Sequence, residues 1–288
     1  MKKGRIIKLI GGIYTVRDES NKTYELKPLG VFRYKKISPK VGDFVSFDET
    51  TILDVEERFN DLVRPAICNI DQALLISSSK RPDFSSILLD KFLALVTFNH
   101  IEPIIVITKI DLLTDFERSS LEQYLSYYKK YFRVIFFSTK TKEGLDEILE
   151  VIKDKVNVLT GQTGAGKSSL LNTIDPSLNL ATDEISLALG RGKHTTRHVE
   201  LIPFGDGLIA DTPGFSKLEF IDMDEVGLKD SFPDFFELGS ECKYHGCLHE
   251  KEPGCAVKEA VKNNTVPQER YDNYLKLREE IKQIKKKY

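Results

Sequence analysis

Val156-Asn157-Val158-Leu159-Thr160-Gly161-Gln162-Thr163-Gly164-Ala165-Gly166-Lys167-Ser168-Ser169 runs from an apolar, β-branched stretch through a glycine-rich turn into Leu170 to Ile174. Gly161 and Gly166-Lys167-Ser168 have the spacing of a phosphate loop. The strand before and helix after supply the context that spacing requires. Glycines let backbone N–H groups approach phosphate oxygens, and the helix N-terminus adds a favourable dipole. Lys167 is expected at the β- and γ-phosphates and Ser168 on Mg²⁺, with Gly161, Gln162, Thr163, Gly164, Ala165, Gly166 and Ser169 lining the anion.

The elements to either side stand in an unusual order. Thr108-Lys109-Ile110-Asp111, at the end of the apolar run Ile104 to Ile107, precedes the phosphate loop, and Asp211-Thr212-Pro213-Gly214 follows it. Asp111 can accept from the N1–H and exocyclic amine of guanine, a pattern adenine does not offer. A site left with an unpaired carboxylate rejects the analogue strongly. Ser138 and Thr139, after Val134 to Phe137, fit the loop that turns N–H groups toward the guanine oxygen. An ordinary GTPase places the phosphate loop first and the base-reading tetrapeptide later, so this chain reads as a circular permutation. Asp211 and Gly214 are then expected at the metal shell and the γ-phosphate. Gly190 to Thr196 occupies the place of the first switch, where Thr195 or Thr196 completes the Mg²⁺ shell. Phe215 fills the slot of the water-orienting glutamine and cannot serve there; His194 is the candidate catalytic residue in its place.

Strand-length apolar runs at 73–76, 104–107, 134–137, 156–159, 199–202 and 208–210, the first four separated by helical stretches at 87–98, 116–131 and 145–152, predict a mainly parallel α/β sheet. Residues 1–66 read instead as about five short strands with glycine punctuation, an N-terminal barrel of the oligonucleotide-binding (OB) type. The expected domains are that barrel at 1–66, a circularly permuted P-loop GTPase domain at 67–220, and a mostly helical zinc-binding domain at 221–288 ending in a charged helix. In the last, Phe232, Phe235 and Phe236 suggest an aromatic-packed turn. Cys242, Cys247, His249 and Cys255 offer three thiolates and an imidazole, a closed tetrahedral set for one structural zinc; His245 is a weaker alternative ligand.

With 41% hydrophobic and 30% charged residues, the composition is that of a globular protein. The sequence shows neither an apolar signal core nor a membrane-length stretch, and the cytoplasm is the expected location. The net charge of −2 excludes a chain that is basic throughout. Basic clusters are local: Lys2, Lys3, Arg5 and Lys8, then Arg33, Lys35 and Lys36, then Lys282, Lys285, Lys286 and Lys287. Lying on both modules that flank a nucleotide switch, they suggest nucleic acid.

The permuted motif order, Gly190 to Thr196, Asp211 to Phe215, and the Cys242, Cys247, His249, Cys255 pattern together resemble the RsgA family of ribosome small-subunit-dependent, circularly permuted GTPases. The resemblance implies GTP hydrolysis stimulated by the small ribosomal subunit, a role in late maturation of that subunit, and a barrel and zinc domain that both touch ribosomal RNA. It also implies GTP and GDP as ligands, with a monomer and no membrane partner expected. Thr108, where the guanine motif usually carries Asn, departs from the pattern. A nucleotide-gated protein-binding GTPase without a ribosomal role is the alternative.

Overall fold

The computed structural model describes residues 1–34, 37–62, 65–178, 199–211, 220 and 222–285. In chain order its strands are β1 Lys2–Ile10, β2 Ile13–Asp18, β3 Thr23–Pro28, β4 Phe44–Phe47, β5 Thr51–Val55, β6 Gln72–Ser78, β7 Glu102–Thr108, β8 Arg133–Phe136, β9 Val156–Gly161, β10 Glu200–Phe204 and β11 Gly207–Asp211. Its helices are α1 Val31–Tyr34, α2 Ser86–Phe98, α3 Asp115–Leu125, α4 Leu145–Ile152, α5 Lys167–Ile174, α6 Glu225–Asp230, α7 Pro233–Gly239, α8 Ala256–Lys262 and α9 Gln268–Lys285. Among the described residues no helix is long and apolar enough to cross a membrane. The chain divides into two compact units: 1–73, 146–159 and the described part of 168–216, then 74–145, 160–167 and the described part of 217–288.

In the first unit, β1 to β5 close on themselves. β1 pairs antiparallel with β2 and β4, β2 with β3, and β4 with β5, while β3 and β5 run parallel. Period-two alternation aims Ile6, Val16, Leu26, Val45, Phe47 and Ile52 into the barrel, where they are buried. Phe44 faces outward, stacked 4.6 Å from the Arg5 guanidinium. One pairing escapes prediction: β1 also bonds β10, through Lys8 and Glu200, so a barrel strand continues into the β10–β11 hairpin. β11 in turn runs parallel to β9. Buried Asn157 on β9 accepts from Gln72 and donates to the Leu208 carbonyl, which fixes β9 in register between its neighbours.

The second unit carries β7 and β8 in parallel, with Ile104 to Ile107 buried. The helix expected over 116–131 ends at Leu125. The chain then tightens into a 3-10 turn at Tyr128–Lys130, which turns Tyr127 and Tyr128 inward. Those tyrosines meet a buried ionic cluster. Arg270 of α9 grips Asp234 through Nε and Nη2, at 2.6 and 2.7 Å, and Asp90 of α2 through Nη1 at 2.5 Å. Tyr127 donates to Asp234, while Tyr128 and Asn273 donate to Asp90. With each carboxylate oxygen accepting at least one hydrogen bond, two carboxylates and a guanidinium persist out of water, although burial still raises the Asp90 carboxyl to about 6. Phe232 and Phe235 pack on Tyr274 as the sequence suggests, whereas Phe236 is exposed.

Candidate nucleotide site and metal centre

β9 delivers the phosphate loop at Gly161, whose φ of 144° and closeness to the Ile76 carbonyl, 2.1 Å from where a Cβ would stand, admit only glycine. The Lys167 ammonium reaches back over the loop and donates to the Gly161 and Gln162 carbonyls at 2.8 Å each. Burial lowers it to about 8. Ser168 is buried and Ser169 half-buried in the first turn of α5.

The base-reading tetrapeptide stands against this loop. The Thr108 hydroxyl donates to the Ala165 carbonyl at 2.5 Å, so threonine supplies the tether to the phosphate loop without an amide side chain. Lys109 is left-handed at φ 59° and caps the 3-10 turn Ile110–Leu112; its ammonium donates to the Gly164 carbonyl at 2.7 Å and to the Arg81 carbonyl. Burial lowers this ammonium as well. Asp111 is exposed, and one carboxylate oxygen accepts from the buried Ser138 hydroxyl at 2.7 Å. That hydroxyl also accepts from the Lys140 and Thr141 amides, both at 3.1 Å, which locks the second loop to the first; Thr139 is exposed beside it. The structure thus brings Thr108, Lys109, Asp111 and Ser138 together with Gly161 to Lys167. Asp211 ends β11, paired in register with Glu200. His194, Thr195, Thr196, Gly214 and Phe215 lie outside the described residues. The motif reading missed the loop Ser79–Pro82, which touches both halves of the site and carries no diagnostic spacing.

Cys242, Cys247, His249 and Cys255 converge, their ligand atoms all within 4.8 Å of one another. His249 Nδ1 lies 3.6 Å from the Cys242 sulfur and 3.3 Å from that of Cys255, and those sulfurs are 4.0 Å apart. Tetrahedral zinc with thiolate and imidazole ligands gives edges of about 3.5 to 3.8 Å, so the donor set fits. Burial holds the imidazolium down to about 4, leaving His249 neutral with Nδ1 free to ligate. Its Nε2 is buried without a hydrogen-bond partner. The cluster is compatible with a bound metal such as zinc. His245 stands outside it. The loops are held to α9 by Tyr271 and Tyr274, which donate to the His249 and Leu248 carbonyls, and by Arg278, which pairs with Glu250 and Glu225.

The basic clusters are less free than the sequence suggests. Lys3 pairs with Glu56 and Lys8 with Glu200 at 2.8 and 2.9 Å, Arg5 donates to the Gly42 and Asn69 carbonyls, and Lys282 sits near Glu225 and Glu250. Lys2, over the Tyr24 ring, keeps a cation facing solvent. Lys35, Lys36 and the charged ends of Arg33 and Lys285 to Lys287 lie outside the description.

Residues 55–221 match the family model described as RsgA GTPase, and residues 3–52 match the RsgA N-terminal domain. The chain is 50% identical to the small ribosomal subunit biogenesis GTPase RsgA 2 of Oceanobacillus iheyensis and 49% identical to its namesake RsgA of Bacillus subtilis, each alignment covering 100% of both chains. Among solved structures it is similar to YloQ, described as a circularly permuted GTPase, with a TM-score of 0.84 and 44% identity over 98% of this chain and 96% of that one. YjeQ from Thermotoga maritima gives 0.85 at 33% identity, covering 97% and 98%. The chain belongs to the RsgA GTPase family and is a GTP-hydrolysing enzyme.

Proposed function

From that membership we infer that the protein binds the small ribosomal subunit, hydrolyses GTP in its late maturation, and leaves it in a nucleotide-dependent way. The observation that carries the guanine half of this reading is the bonding of Thr108 and Lys109 to Ala165 and Gly164, which joins base reading to phosphate binding in one preformed frame. The ribosomal half is supported by the names of the full-length relatives.

In the site we propose, Lys167 exchanges its two carbonyl partners for the β- and γ-phosphates, with amides of Gly161 to Ser169 around them. Asp111, steadied by Ser138, reads the guanine edge, and Thr139 lies beside the same loop. Ser168, one of Thr195 and Thr196, and Asp211 are the proposed Mg²⁺ shell; bound there, the ion would neutralise phosphate charge. Gly214 meets the γ-phosphate, and His194 orients water in the space Phe215 cannot serve. Cys242, Cys247, His249 and Cys255 hold one structural zinc. The domains we propose are the barrel at 1–66, the GTPase at 67–220 and the zinc module at 221–288, working as a cytoplasmic monomer that grips ribosomal RNA through its outer modules.

The test is GTP turnover with and without purified small subunits. We expect turnover at least tenfold faster with subunits, and a His194→Ala chain that keeps GTP affinity but loses most of the stimulation, on the order of the 10²-fold that acid-base help provides. Turnover indifferent to subunits would overturn the ribosomal reading.

A further inference from the structure

We propose that Ser79–Pro82, the loop leaving β6, is a positioning element of the guanine-nucleotide site: it fixes the Lys109 turn, and through it aligns Asp111 with the base while holding the phosphate loop open. The inference rests on the guanine-nucleotide reading above and adds residues that no nucleotide motif contains.

The loop is stitched to the tetrapeptide along its length. The Ser79 amide donates to the Thr108 carbonyl at 3.0 Å, and the Ser79 hydroxyl donates to the Lys109 carbonyl at 3.0 Å. That same Lys109 carbonyl accepts from the Leu112 amide at 3.0 Å, closing the 3-10 turn on which Asp111 rides. Ser79 therefore holds the acceptor that sets where the Asp111 carboxylate stands. In return the Lys109 ammonium donates to the Arg81 carbonyl, and Arg81 and Lys109 are both left-handed, at φ 53° and 59°. Side chains other than glycine stay in that region only where surrounding bonds over-determine it, and such residues gather at functional sites. Here two of them face each other across one hydrogen bond.

The far side of the loop is anchored independently. Lys80 donates to both carboxylate oxygens of Glu117, at 2.7 and 2.8 Å, and Glu117 also closes the capping box of α3 by accepting from the Thr114 amide at 2.9 Å. The Phe84 ring meets Tyr124 of α3 edge-on at 5.7 Å. On its near side, Pro82 Cδ lies 3.4 Å from where a Cβ on Gly164 would stand. The Gly164 carbonyl is the second acceptor of Lys109. A carbonyl turned toward the phosphates would repel them; held on the ammonium, this one is kept from doing so, and the arrangement exists before any nucleotide arrives. Ser79 and Lys80 act through Lys109 and are positioning residues.

The experiment compares full-length wild type, S79A, K80M and K80R by calorimetric affinity for GDP and for IDP, which lacks the 2-amino group. A merely structural lesion weakens both nucleotides equally, whereas misplacing Asp111 costs GDP more. We expect S79A to bind GDP about three- to tenfold more weakly, the effect of one lost hydrogen bond, with a smaller loss for IDP, so that the GDP preference narrows. K80M should shift the same way by less, and K80R, which keeps the ion pair, should stay at the wild-type ratio. If S79A fails to fold, K80M decides alone, its side chain being partly exposed. A GDP-to-IDP ratio unchanged in S79A and K80M overturns the loop's role. Wild type that binds neither nucleotide would instead overturn the guanine reading on which it rests.

Discussion

The phosphate-loop site and the cysteine-histidine loops both gather ligand groups onto short turns of one compact unit, yet they are held together by opposite means. In the nucleotide site every group named has an internal partner: Lys167 has the Gly161 and Gln162 carbonyls, Lys109 those of Arg81 and Gly164, Thr108 that of Ala165, Asp111 the Ser138 hydroxyl. The cysteine-histidine ligands have only weak sulfur contacts of that kind, such as the Ala256 amide donating to the Cys242 sulfur at 3.4 Å. The Cys242 and Cys255 sulfurs and the His249 ring face one another at 3.3 to 4.0 Å, the His249 Nε2 is buried unpartnered, and burial pushes the Cys247 thiol up to about 12, away from the ionised form a metal needs. One site is preorganised by hydrogen bonds that a ligand borrows; the other is the site whose cohesion the proposed zinc would supply.

With the proposed zinc in place, the largest effect should follow from taking it away. Structural zinc in small modules supplies apparent binding energies of about 10 kcal/mol or more, far above what amide-to-sulfur contacts such as Ala256 to Cys242 contribute. Chelation, or Cys247→Ser, should release hydrogen-exchange protection across roughly 240–256, while amides of 104–111 and 156–167 keep theirs. Equal loss of protection in the phosphate loop would break the contrast, because it would make the nucleotide frame depend on the metal too.

Arg270 sharpens the contrast by a smaller margin. It ties the helices that carry the metal loops to α2 through buried Asp90 and Asp234. Removing one partner of such a cluster strands uncompensated charge, a cost of about 3 to 5 kcal/mol, whereas replacing all the charges is often near neutral. Arg270→Met should thus lower the denaturation free energy by that amount, and Asp90→Asn with Asp234→Asn in the same chain should recover most of it. Urea unfolding of the three chains measures this. A single variant as stable as wild type would show that the metal alone organises the module.

How much of this was legible in sequence follows the same divide. Phosphate loop, guanine tetrapeptide and ligand set were readable because each is a local spacing of residue types whose chemistry is fixed: Gly161 must be glycine under the Ile76 carbonyl, and three thiols beside an imidazole admit few uses. What stayed hidden was long-range. The β1–β10 pairing depends on Lys8 meeting Glu200, and the Arg270 cluster depends on Asp90 and Asp234 from two other helices; neither pairing leaves a periodicity in the chain. How free the basic clusters are was hidden for a related reason: sequence counts charges but not their partners, and Lys3, Lys8 and Lys282 are ion-paired. The exposed Phe236 shows the limit of reading aromatics as core, since a seven-residue helix presents only one face inward.

The smallest expected effect is also the most direct probe of preorganisation. Burial depresses the Lys167 ammonium to about 8, while its two carbonyl partners keep it in place whether or not it carries charge. Bound polyphosphate favours the charged form. The sign follows: below pH 8 the free protein already holds the proton and affinity is flat; above pH 8 the proton must be taken up on binding, so affinity falls toward a limit of about tenfold per pH unit. Metal binding by thiols runs the other way, releasing protons and strengthening over the same range. Calorimetry of GDP binding between pH 7 and 9, in two buffers of different ionisation enthalpy, should show proton uptake appearing near pH 8 together with the loss of affinity. GDP affinity that is constant across that range, with no proton taken up, would mean that Lys167 is not depressed in the free protein, and that the phosphate loop is more open to water than its geometry indicates.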